Sequence, residues 1–68
     1  MKIRLYDYPK IESNVLELWL LENIGMGQVG SPDLADESDK WLMYYDRGIT
    51  TLQFRNELDY GLFLIRWA

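Results

Sequence analysis

The chain has 68 residues with no Cys and no His, so acid–base or nucleophilic chemistry could fall only to carboxylates, lysines, hydroxyls and phenols. None of these sets a nucleophile beside a base at a productive spacing, and the sequence reads as non-catalytic. The densest carboxylate cluster is Asp33, Asp36, Glu37 and Asp39. Its oxygens are the hard donors that Mg²⁺ or Ca²⁺ prefer, yet it lacks the alternating ligand positions, glycine and terminal glutamate of a calcium loop. It reads as a solvated acidic segment holding no metal. The string Gly25-Met26-Gly27-Gln28-Val29-Gly30 matches G-x-G-x-x-G. That pattern binds a dinucleotide when a strand leads into the glycines and a helix begins at them. Here a helical pattern ends at Gly25 and Ser31-Pro32 follows, so the glycines imply a C-cap and loop, with no cofactor.

The elements that must hold these residues are read from periodicity. Ile3 and Leu5 alternate with Lys2 and Arg4, which predicts a half-buried strand ending before Pro9. From Pro9 to Ile24 the period becomes helical, with Ile11, Val15, Leu18 and Trp19 on one core-facing side and Gly25 at the C-cap. Residues 25–40 are rich in turn formers and acids and predict a long acidic, flexible loop. It is mobile, ordered by a partner, or partly a short helix started by Ser31-Pro32. Trp41 to Arg55 reads as a hairpin turning through Asp46-Arg47-Gly48. Asn56-Glu57-Leu58-Asp59 resembles a capped helix start, placing Leu58, Leu62 and Ile65 on one stripe, although Tyr60 to Trp67 also suits a strand. Helix is favoured because acids fill the first turn and Arg66 the last. The expected architecture is one α+β domain of order β-α-β-β-α, an antiparallel hairpin packed on one or two helices.

A domain this small buries roughly 60% of the surface its unfolded chain exposes, and neither disulfide nor zinc can reinforce it. Packing of Trp19, Trp41, Trp67, five Tyr and two Phe must stabilise it, unless a partner does. No signal-peptide pattern opens the chain and no run approaches the roughly 20 apolar residues of a membrane span, so a cytoplasmic protein without a membrane partner is expected. The net charge of −4 is unevenly spread. Between Lys10 and Lys40 lie Glu12, Glu17, Glu22, Asp33, Asp36, Glu37 and Asp39, with no basic residue among them. Direct nucleic-acid binding needs a basic footprint, which this interval denies.

The first helix is apolar around most of its circumference: beyond the core-facing side, Leu16 and Leu20 with Ile24 occupy a second, and Leu21 lies nearly opposite. Either the C-terminal helix and the loop cover that second side, or a partner does. The candidate partner-binding residues are therefore Leu16, Leu20 and Leu21, joined by Glu12, Glu17, Asp33, Asp36, Glu37 and Asp39. The glutamates five apart turn by about 140° per step and make no single stripe. A nucleic-acid mimic would need helix and loop acids together.

The stretch from Ile49 to Trp67 resembles the endings of many short proteins encoded by tailed bacteriophages, with Trp19, Gly25, Trp41, Phe54, Asp59, Phe63, Arg66 and Trp67 at corresponding places. That resemblance implies an accessory protein that binds and redirects, commonly inhibits, a host protein in the bacterial cytoplasm. The alternative carried beside it is a homo-oligomeric structural or assembly component whose apolar helix face is buried in its own interface.

Overall fold

The amino-terminal alternation yields a short strand, β1, over Lys2–Arg4, which buries Ile3 between two exposed cations. In the computed structural model, which describes residues 1–67 with the side chain of Leu34 excepted, a 3₁₀ turn at Leu5–Asp7 follows. Helix α1 then spans Ser13–Asn23, starting four residues after the expected Pro9. The delay has a local cause: Ile11 N–H donates to the Tyr8 carbonyl at 3.0 Å, closing a turn. The Tyr8 ring is meanwhile held edge-on to Phe63, with centroids 5.5 Å apart. The helix ends as expected, with Gly25 N–H donating to the Leu20 carbonyl at 2.9 Å and Gly25 at φ +131°.

Residues 25–40 hold more structure than a flexible loop. A strand of two residues, β2 at Gln28–Val29, pairs parallel with the next strand, and Pro32–Leu34 forms a 3₁₀ turn capped by the Ser31 hydroxyl. Two residues carry no period, so β2 left no trace in the sequence pattern. The hairpin consists of β3, Trp41–Asp46, and β4, Ile49–Phe54. Arg47 and Gly48 join them with φ +54° and +81°, the two positive values of a type I′ turn. Helix α2 spans Glu57–Trp67, capped by Asn56, whose Oδ1 accepts from Asp59 N–H at 2.9 Å. The sheet is mixed, in the order β1-β4-β3-β2, and the α+β fold has the sequence β-α-β-β-β-α.

Register sets the layers. Trp41 pairs with Phe54, Met43 with Leu52, and Leu52 with Ile3, so these side chains share one sheet face. Leu16 and Leu20 of α1, Ile24 at its C-cap and Phe63 of α2 meet them there in one core. Both helices thus cover the same face, and each large apolar side chain fully buried beneath them contributes about 1.5–3 kcal/mol. The opposite face carries Tyr44, whose hydroxyl donates to Gln53 Oε1 at 3.0 Å. Among the described residues no helix is long and apolar enough to cross a membrane.

The rotation of α1 differs from expectation. Leu16 and Leu20, expected at a partner interface, are fully buried in the core, whereas Val15 and Leu18 face outward. The phase of α1 is fixed at its end: the Gly25 carbonyl accepts from Trp41 Nε1 at 2.9 Å, which carries Ile24, and with it Leu20 and Leu16, onto the sheet. In α2 the stripe Leu58, Leu62 and Ile65 is also exposed, because Phe63, Tyr60 and Trp67 turn inward instead. A ring removes about 150–250 Å² from water, so the aromatic stripe outweighs the aliphatic one.

Candidate protein-binding surface

Within the glycine string, Gly27 makes a slot for Trp41. A Cβ on Gly27 would lie 2.0 Å from the Trp41 ring, and the Gly25 carbonyl receives the indole N–H. Trp41 is buried to 1% exposure between them. Gly27 therefore serves close backbone approach to a side chain, while Gly25 and Gly30 take the positive φ values of +131° and +129°, so each glycine has a local role that needs no dinucleotide.

The acids expected to form a binding surface divide into separate environments. Glu12 is the exposed N-cap of α1. Glu17 is half-buried and lines a cleft of about 380 Å³ with Ser13, Val29, Tyr44, Tyr45 and Thr50. In the loop Asp33, Asp36 and Glu37 are exposed. Asp39 is a correction to the expected set: it is buried, and its Oδ2 accepts from Asp36 N–H at 2.8 Å. The Asp36 carboxylate accepts in turn from Ser38 N–H at 3.2 Å, and its carbonyl from Arg55 Nη2 at 2.7 Å. These bonds order the loop from within, so Asp39 is an internal cap and unavailable to a partner. Thr50 beside Glu17 and Arg55 beside Asp36 lie toward opposite ends of β4, roughly 17 Å apart at about 3.3 Å per residue. Among the described residues no group of three or more acids gathers as a metal site.

What the fold does bring together is apolar. Val15, Leu18 and Leu21 recur every third residue along the outer side of α1, with Leu18 61% exposed. On α2 the outer stripe is Leu58, Leu62 and Ile65, the first and last more than 80% exposed. The two helices touch through Trp19 and Trp67, edge to face with centroids 6.1 Å apart. The layer that covers the core thus carries an apolar stripe on the solvent side of each helix. Of the expected partner residues, Leu21 alone among the leucines lies on these stripes; Val15 and Leu18 were expected to face the core, and Leu58, Leu62 and Ile65 only to share one stripe of α2. The sequence signal for the phase of α2 was the aromatic set Tyr60, Phe63 and Trp67, which marks a stripe larger than Leu58, Leu62 and Ile65. Compared with family models, with curated proteins and with solved structures, the chain matches none.

Proposed function

We propose that this chain is a non-catalytic binding protein that docks a partner protein on the outer face of α1. The observation that carries this reading is the exposed row Val15, Leu18 and Leu21 on a helix whose charged side chains are all acidic, Glu17 and Glu22. Exposed apolar side chains in a contiguous row cost solubility and are characteristic of contact surfaces. The complementary partner presents an apolar groove rimmed by Lys or Arg. Within the setting implied by the likeness to short phage proteins, that partner is a host protein in the bacterial cytoplasm, and occupation of its groove inhibits it.

The test compares tagged wild type with Leu18→Glu as bait in host lysate, followed by titration of the purified captured protein. Leu18 is outside the core, so the variant should fold. Affinity should fall at least tenfold, and the wild-type on-rate should drop as salt screens the acidic rim. Equal capture and equal affinity by both baits would overturn the assignment of α1.

A further inference from the structure

We infer that the outer stripe of α2 is a homodimer interface, in which two copies pair antiparallel about an axis passing beside Leu62. Set Phe63 at 0° as the core direction and advance about 100° per residue; Leu58, Leu62 and Ile65 then fall near 220°, 260° and 200°, a single narrow outward stripe. Asp59 and Arg66 fall near 320° and 300°, on the same flank of that stripe but at opposite ends of the helix. In a two-fold antiparallel pair the axis lies in the interface, across both helices, so a flank meets the same flank of its mate running the other way. Leu62 then meets Leu62 of the second copy, and Leu58 meets Ile65. Asp59 meets Arg66 twice by symmetry. The antiparallel arrangement also sets each helix N-terminus beside the C-terminus of the other, the favourable dipole order.

The charged groups are free to do this. Asp59 lends one carboxylate oxygen to Asn56 Nδ2 at 2.9 Å and retains the other. The Arg66 guanidinium stacks over the Trp67 ring, 4.2 Å from its centroid, a posture that leaves the in-plane N–H donors available to a carboxylate. Helix α1 lacks this self-complementarity, since pairing it with itself would set glutamate against glutamate. The α2 pairing uses none of Val15, Leu18 and Leu21, so it stands apart from the partner site proposed on α1. A helix of 11 residues is about 16 Å long, which gives a contact at the small end of specific interfaces and a dissociation constant on the order of 10–100 μM.

The chain has no cysteine, so single-Cys variants read the geometry directly. Leu62→Cys sits next to the axis and should form a disulfide-linked dimer under mild oxidation at least ten times faster than Ser31→Cys, an exposed position in the loop. Sedimentation equilibrium of wild type up to about 500 μM should show reversible dimerisation in the range stated above. Arg66→Glu should weaken it tenfold or more, and the double exchange Asp59→Arg with Arg66→Glu should restore it. Far-UV circular dichroism checks each fold. Should Asp59→Arg unfold the cap, Arg66→Gln and the cross-linking rates still decide. Monomeric wild type at the highest concentration, or Leu62→Cys cross-linking no faster than Ser31→Cys, overturns the proposal; loss of partner capture by Leu18→Glu bears only on α1.

Discussion

Replacing Gly27 with alanine tests the glycine slot most severely. The new methyl carbon would stand 2.0, 2.1 and 2.6 Å from three atoms of the Trp41 ring. Carbon atoms pack at about 3.5–4.0 Å, so ring and backbone must separate by roughly 1.5 Å. Trp41 cannot give way freely, being 1% exposed and tied through Nε1 to the Gly25 carbonyl. Overpacking costs about 1–3 kcal/mol and loss of the hydrogen bond about 1 kcal/mol more, giving an expected destabilisation of roughly 2–4 kcal/mol. At about 0.05–0.15 kcal/mol per residue, a chain of this length has roughly 3–10 kcal/mol in all, so the variant should lose a large share of its stability or unfold. Urea denaturation followed by tryptophan fluorescence and far-UV circular dichroism measures it, with the slope of the transition checked for constancy. Gly61→Ala is the internal contrast: among the described residues nothing lies within 4 Å of a Cβ there, and removing a glycine from the interior of α2 should stabilise by up to about 1 kcal/mol. A Gly27→Ala protein within about 0.5 kcal/mol of wild type would refute the account of Trp41 as the side chain that requires glycine at position 27.

Two further outcomes follow from burial and turn geometry. Leu20→Ala should cost about 2–5 kcal/mol while Leu18→Ala, two residues earlier but exposed, stays within about 0.5 kcal/mol; equal losses by thermal melting would mean that α1 is rotated from its described phase. Arg47→Asn should stabilise by roughly 0.5–1 kcal/mol, since asparagine tolerates the left-handed conformation that Arg47 adopts at φ +54°, and an unchanged urea midpoint would argue against a strained Arg47.

Element types were largely legible in the sequence, and their orientation was not. The hairpin announced itself through Arg47-Gly48 and the bulky runs on either side, and α2 through Asn56 and the acids that follow. Both are local signals. Strand β2 depends wholly on the neighbour it pairs with, Gln28 to Leu42 and Val29 to Met43, contacts far apart in sequence. The phase of α1 was ambiguous because two apolar stripes of similar strength encircle it, and a bond donated by Trp41 Nε1 to the Gly25 carbonyl, sixteen residues away, chooses between them. The candidate site inherited that ambiguity. Periodicity found that α1 has more apolar surface than one sheet face can cover, but it exchanged the inner leucines, Leu16 and Leu20, for the outer Val15 and Leu18. Asp39 was misplaced for a related reason: composition marks it as one acid among several, and only the loop's fold reveals that its oxygen caps Asp36.

The sheet ends on one side with β1, three residues long, and on the other with β2, two residues long. A strand arriving from another molecule would find so few free backbone donors and acceptors at either margin that little could be gained by extending the sheet. Recognition by strand addition, and the runaway stacking that accompanies it, are therefore disfavoured at both borders. Encounters with other chains are channelled to side-chain shape and charge on the helical layer, where a single substitution can retune a contact without disturbing the ladder beneath it.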